Sequence, residues 1–254
     1  MPDQIQFKLG KKPPKIDTRT LKLAKYLTPE LAPPPVRCDW TKNVTKWGMM
    51  ANDRLGDCTI AAVAHAIQVA TVNNGSIVTV PDDVVVKYYE QWAGYVPGKP
   101  NTDNGAYVLD VMNHWRKEGF AGHKLLAYMG INPGNMYHVQ QAIALFGGIY
   151  IGVALPYTAV GQQEWLPATG NLDSPQASKW SWGGHAVYVP AYDIREDRVT
   201  CITWGGLLKM DWQFWASYCD EAYVLVMEDW LKDGKTPVGI DLDTLMKDLE
   251  IVTR

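Results

Sequence analysis

The sequence is poor in several features that would assign a function at once. Four cysteines, Cys38, Cys58, Cys201 and Cys219, are scattered through 254 residues, and none belongs to a CxxC or CxxCH motif. HExxH is missing as well, so the usual spacings of structural and hydrolytic zinc sites are not there, and neither metal nor cofactor is expected. A disulfide such as Cys201–Cys219 is one choice among the three connectivities that four cysteines allow. Positive charge is not in excess: 24 Lys and Arg stand against 27 Asp and Glu, a net charge of −3. No nucleic-acid partner held by its phosphates is therefore expected. Long apolar runs are lacking too. The longest, Ala142 to Leu155, is broken by Gly147-Gly148 and is too short to span a bilayer, so no membrane partner is expected. The opening MPDQIQFKLGKKPPK has charges but no apolar h-region. The expectation is a cytoplasmic chain with reduced thiols, packaging in a particle or another route of export being left open.

What is present fits a globular chain: 47% hydrophobic and 20% charged residues. A chain of this size buries about 70–75% of its unfolded surface without needing a crosslink. Residues 1–35 are polar and punctuated by prolines, and read as an arm over the surface with a linker at 29–35 and a turn or two of helix from Leu21 to Leu27. A globular domain is expected over 36–232, helical to about 146 and strand-rich from 147. Residues 233–254 form a tail with one amphipathic helix at 241–252.

In the helical half, CTIAAVAHAIQVAT from Cys58 is small and apolar nearly all round, which predicts a central buried helix. Asp57 stands where an N-cap is needed, and Gly56 permits the tight entry. Further helices are predicted over Ala106–Glu118, ending at Gly119, and Tyr137–Phe146, ending at Gly147-Gly148. Short β-rich runs follow at Ile149–Leu155, His185–Tyr192, Val199–Trp204 and Glu221–Met227. Helices first and strands afterwards predict an α+β fold of two lobes meeting at a cleft.

Cys58 begins its helix, where unpaired N–H groups favour a thiolate and lower a thiol pKa. A free cysteine is more often a small core residue, and Asp57 beside it opposes ionisation. His185 opens the alternating strand HAVYVPAYD after Gly183-Gly184, as nucleophilic Cys–His catalysis requires of a base. His65, His114, His123 and His138 have no such setting. Trp180, Trp182, Trp204, Trp212 and Trp215 surround His185 and the TWGG turn, either as amphipathic core and rim or as the lining of a groove for peptides or sugars.

These residues resemble the papain-like cysteine peptidase family, over most of residues 34–227. PPPVRCDW at 33–40 is similar to the "VDWR" that opens the mature domain of those enzymes. NDRLGDCTIAA resembles their "QGxCGSCWAF" segment, and NTDNGAYVLDVMNHWRKEG the cleft loop and the helix after it. GGIYIGVALP is similar to "GPVSVAI", GGHAVYVPAYD to "DHAVxxVGYG", and TWGG followed by DEAYVLV to "NSWG" followed by "ENGYIRI". The resemblance implies a papain-like two-lobed fold and a thiol-dependent peptidase or amide hydrolase acting on a peptide or protein. Cys58 would be the nucleophile, His185 the base, Asn52 the oxyanion-hole amide, Gly105 and Ala106 the substrate-cleft loop, and Trp204 the shield over the histidine.

Five departures qualify that expectation. The orienting Asn of the family is Ile202 here, leaving Thr203 as the nearest polar substitute. Asn52 replaces a Gln. Ala106 replaces a second glycine, and its side chain is expected to crowd an approaching peptide. Leu55 replaces a cysteine, and the N-terminal arm is far shorter than an inhibitory prosegment. The alternatives are a catalytically impaired protein that keeps the fold for binding or structure, and an acyl transferase using the same residues. Oligomeric state is not legible.

Overall fold

The computed structural model describes residues 7–27, 31–168, 173–231, 243–245 and 247–248. After a 3-10 turn at Leu23–Lys25 and strand β1 (Arg37–Asp39) come three helices, α1 (Cys58–Asn73), α2 (Asp82–Ala93) and α3 (Val108–Glu118). Strand β2 (Leu125–Ile131) and helix α4 (Met136–Phe146) lead into β3 (Ile149–Leu155), β4 (Glu164–Trp165), β5 (Gly183–Asp193), β6 (Arg198–Thr203) and β7 (Gly206–Asp211). Helix α5 (Trp212–Tyr218) and β8 (Cys219–Met227) complete the main body. The strands form one sheet in the order β2-β8-β3-β5-β6-β7-β4, with β1 also paired to β5. All pairings are antiparallel except β4 with β7. The fold is α+β, as the sequence pattern predicts.

Helix α1 is the central element. Every residue from Cys58 to Val72 is buried, so its few polar side chains must find partners inside. His65 and Gln68 find them on the loops that wrap the helix and Thr71 on the helix itself, whereas Thr59 Oγ1 has no partner among the described residues. His65 Nε2 meets the Gly48 carbonyl at 2.8 Å, Gln68 Nε2 donates to Lys46 O and Thr79 Oγ1, and Thr71 Oγ1 donates back to Ile67 O. One hydrophobic cluster gathers α1, α2 and α3. A second fills the other face of the sheet with α4 and α5, around Phe146, Ile151, Val187, Trp165 and Trp215.

Several elements escape the sequence pattern. Helix α2 is not among the predicted elements: the β-branched run Val84-Val85-Val86 disfavours a helix, yet Val85, Tyr89 and Trp92 fall on one buried face. Asp82 and Asp83 lie in its first turn and Gly94, at φ +75°, ends it. Strands β2 and β7 and helix α5 are the others. The tail helix at 241–252 lies largely outside the described residues, although 243–245 and 247–248 are helical and Tyr26 Oη donates to Asp248 at 2.9 Å. All four cysteines are free thiols, so the Cys201–Cys219 pairing does not occur.

Candidate active site

The entry to α1 is built from an unusual loop. Met50 and Ala51 are both in the left-handed region, at φ 58° and 62°, and both are fully buried. Two such residues in succession cost about 1–2 kcal/mol each. The bend turns Asn52 under the start of α1, where its Nδ2 donates to Leu55 O and to Asp57 Oδ1, each at 3.1 Å. Asp57 therefore does not cap the helix with its side chain, contrary to the sequence expectation. Its carboxylate is spent on Asn52, its second oxygen has no partner among the described residues, and burial pushes its pKa well up. Asn52 in turn has both amide hydrogens directed inward.

Cys58 lies at the floor of a groove bounded by the loops 54–57 and 103–106 on one side and by β5 on the other. The two loops are tied together through Asp103 Oδ1, which accepts from the Gly56 N–H at 2.9 Å and from Tyr89 Oη at 2.7 Å. Tyr89 Oη accepts in turn from the Gly105 N–H at 2.8 Å. On the far wall His185, buried at the start of β5, pairs its Nε2 with Thr203 Oγ1 at 2.7 Å, while its Nδ1 has no partner among the described residues. Thr203 thus stands where the missing Asn would orient the ring. The backbone N–H of Ala186, next to His185, reaches the Cys58 sulfur.

Trp204 covers His185, with ring centroids 4.4 Å apart and planes 14° from parallel. It can do so because it occupies the first position of a two-residue hairpin loop between the paired Thr203 and Gly206. Such a loop favours positive φ at both central residues, and Trp204 and Gly205 have φ 45° and 73°. The left-handed backbone aims the Trp204 side chain at the imidazole, and stacking between Phe7 and His185 holds the ring there.

The groove is occupied by the chain's own N-terminal arm. Residues 7–12 run through it as an extended segment rather than over the surface. The Ala106 N–H donates to Gly10 O at 2.8 Å, the Lys12 N–H to Ala106 O at 2.9 Å, and the Lys11 N–H to Gly184 O at 3.0 Å. Lys11 and Ala106 form a parallel bridge. Phe7 stacks on the outer face of Trp204 at 4.3 Å, giving a pile of three aromatic side chains of which His185 is the lowest. Gly10 packs so closely that an added Cβ would fall 1.7 Å from Gly56 O, and a Cβ at Gly105, whose φ is +66°, would fall 1.7 Å from Gly10 O. Ala106, by contrast, does not crowd out a peptide backbone: its methyl leaves both main-chain hydrogen bonds to the arm intact.

Burial dominates the electrostatics. Burial pushes the Cys58 thiol up to about 12, although the N–H groups of Ala186 and Gly10 favour its thiolate. The expected lowering by the helix N-terminus is therefore overcome by desolvation. Burial, aided by His65, pushes His185 down to about 3. Thiol and imidazole are both neutral under this cover. The arm is also non-productive as a substrate. Gly10 presents its N–H to the sulfur, and its carbonyl is turned to Ala106.

The sequence reading groups Cys58, His185, Asn52, Thr203, Gly105, Ala106 and Trp204. In the structure Cys58, His185, Gly105 and Ala106 border the arm, Thr203 and Trp204 pack on the His185 ring, and Asn52 is buried beneath the start of α1 with its amide turned inward. The sequence reading does not anticipate Phe7, Gly10 and Lys11, nor the acidic pair Asp220 and Glu221 that receives Lys11. Two adjacent acids opening an otherwise apolar strand are the available signal, since buried carboxylates need a counter-charge.

No protein-family model and no curated protein matches the sequence. Solved structures do match in shape. Xylellain, a cysteine protease from Xylella fastidiosa, superposes with a TM-score of 0.64 at 17% identity, covering 89% of this chain and 98% of its own. ProCathepsin B S9 from Trypanosoma congolense gives 0.57 at 11% identity, covering 87% of each chain. Digestive procathepsin L 3 of Tenebrio molitor larval midgut gives 0.54 at 12% identity, covering 82% and 76%. The chain has the papain-like fold.

Proposed function

We propose that the chain is a thiol-dependent peptide or amide hydrolase held in a self-occluded state by residues 7–12. The observation that carries this reading is the arm itself: an extended peptide lies beside Cys58, hydrogen-bonded through its backbone to Ala106 and Gly184. With the arm lifted, His185 Nδ1 takes the proton of the Cys58 thiol, while Thr203 Oγ1, accepting from Nε2–H, holds the ring in orientation. The thiolate attacks a carbonyl carbon, and the oxyanion forms near the Cys58 N–H, one of the helix's unpaired N-terminal donors. His185 then passes its proton to the leaving amine. A water molecule, deprotonated by the same nitrogen, hydrolyses the thioester and regenerates the thiol. Asn52 joins the oxyanion hole only by giving up its bond to Leu55 or Asp57. That commitment of Asn52 favours the second reading, a catalytically impaired protein that uses the groove for binding.

Alkylation of Cys58 by iodoacetamide against pH, read by peptide mass spectrometry, separates the two. The wild-type thiol is expected to be silent. Gly10→Ala, whose methyl cannot fit against Gly56, should expose a thiol that reacts well below its usual pKa of about 8.5. Adding His185→Ala should remove that reactivity. An exposed Cys58 that reacts only near 8.5, whatever stands at 185, would leave the binding reading.

A further inference from the structure

Beside the groove opens a closed side pocket whose chemistry is set out by its present occupant. The Lys11 side chain is fully buried. Its Nζ donates to Asp220 Oδ2 at 3.0 Å and to Lys12 O at 3.2 Å, and lies 3.1 Å from Glu221 Oε1 and 4.6 Å from the Trp180 ring centroid. Glu221 is itself held by the Tyr223 hydroxyl at 3.0 Å. The remaining wall is Gly152, in the middle of the wholly buried β3. A Cβ there would fall 1.9 Å from Lys11 Cε and 2.7 Å from Glu221 Cγ. A glycine inside a strand weakens it, and is explained where another chain must approach closely. Here the room is that of a long, straight side chain reaching two carboxylates.

We propose that Asp220, Glu221 and Gly152 fit this pocket to the lysine or arginine side chain of a bound peptide, Lys11 being a resident copy of that ligand. The proposal rests on the groove being a peptide site, as read above, and adds the class of peptide. Ala106 bonds the residues on either side of Lys11, so Lys11 is the residue opposite Ala106. A chain laid the other way would exchange both bonds of Ala106 with one residue, again the one opposite. Residues directly opposite in a sheet share a face, so either direction delivers that side chain to the same pocket. An apolar side chain there would leave two buried carboxylates without a counter-charge, and sites built around polar pairing reject analogues that lack it. Arginine has a longer reach and a fork that suits two carboxylates.

The test uses the full chain carrying Gly10→Ala and Lys11→Glu, which empties both groove and pocket. A labelled peptide of residues 7–14, FKLGKKPP, is titrated in trans and followed by anisotropy. It is compared with versions in which Lys11 is replaced by Arg, norleucine or Glu. The lysine and arginine peptides should bind at least tenfold more tightly than norleucine, and the Glu version should not compete. Adding Asp220→Asn and Glu221→Gln should shrink the preference below threefold. Should that pocket variant fail to fold, the peptide series alone decides. Norleucine within twofold of lysine, or no binding by any peptide, overturns the proposal. Cleavage of a peptide mixture by the same protein separates the two readings. Turnover indifferent to Lys or Arg overturns the pocket and keeps the hydrolase, whereas a lysine preference in binding without any turnover keeps the pocket and overturns the hydrolase.

Discussion

Two histidines are buried, one inside α1 and one on β5, and they show what burial alone does and does not confer. His65, two turns into α1, donates Nε2–H to Gly48 O at 2.8 Å and is sealed by Trp47, and burial lowers its pKa to about 4. His185 is as deeply buried and lowered to about 3. The perturbation is nearly the same, so it cannot tell a structural histidine from a chemical one. What differs is the cover. His65 is enclosed by the loop 46–50 and by the body of the helix, whereas His185 lies under Trp204 and Phe7, the latter on the N-terminal arm. His185 Nδ1 is buried with no partner among the described residues.

The comparison breaks most sharply if the arm is removed. In Gly10→Ala, water reaches the groove, and the pKa of His185 should climb from about 3 toward the ordinary value near 6.5. His65 should stay near 4, because nothing over it moves. Imidazole proton resonances followed through a pH titration would resolve both rings. Alkylation of Cys58 should rise on the order of 100-fold at pH 7 in the same variant. If both histidines shift together, the variant has loosened the whole core; if neither does, residues 7–12 are not what keeps the groove dry.

A smaller effect extends the comparison from imidazole to carboxylate. Asp57 is fully buried, with its pKa raised well above the usual carboxylate range by desolvation. A raised folded pKa means that the folded chain keeps a proton the unfolded chain has lost. The contribution to stability is therefore fully present below about pH 3.9 and is lost as pH rises through the folded value. Asp57→Asn keeps the acceptor for Asn52 Nδ2 and carries no charge at any pH. It should raise the free energy of unfolding by about 1–3 kcal/mol at pH 8 and by little at pH 3.5, as read from urea midpoints at the two pH values. A gain independent of pH would mean that the orphaned oxygen, not the charge, is the cost.

Much of this was legible in the sequence, and the unread part has a common cause. Cys58 at a helix start, His185 at a strand mouth and Trp204 in a Trp-Gly turn follow from periodicity and turn chemistry within a few residues of each. Asn52 is legible as a position but not as a geometry, since the left-handed pair Met50 and Ala51 that turns it inward carries no glycine to announce it. Lys11 is the largest omission. A lysine in a polar, proline-punctuated arm looks solvated, and only the pairing of residues 11 and 220, far apart in the chain, makes it a core residue. Long-range charge pairing leaves no local period to read. Helix α2 goes unread for the opposite reason: its local β-branched run masks the face that Tyr89 and Trp92 bury.

The finest edge of the comparison is the single bond that distinguishes the environment of His185 from stacking alone. Thr203 Oγ1 lies 2.7 Å from Nε2, at the place where Ile202 removes the carboxamide expected by resemblance. If the hydroxyl orients the ring, Thr203→Val in the Gly10→Ala background leaves both nitrogens without a partner. Cys58 alkylation should then slow by about tenfold at pH 7, the equivalent of roughly 1.4 kcal/mol. Thr203→Ser, which keeps the hydroxyl on a smaller side chain, should stay within about twofold, the small residue being the lost methyl packing. Equal rates in the two variants would assign the orientation of His185 to the Trp204 stack, and Thr203 would then be a packing residue like its neighbour Ile202.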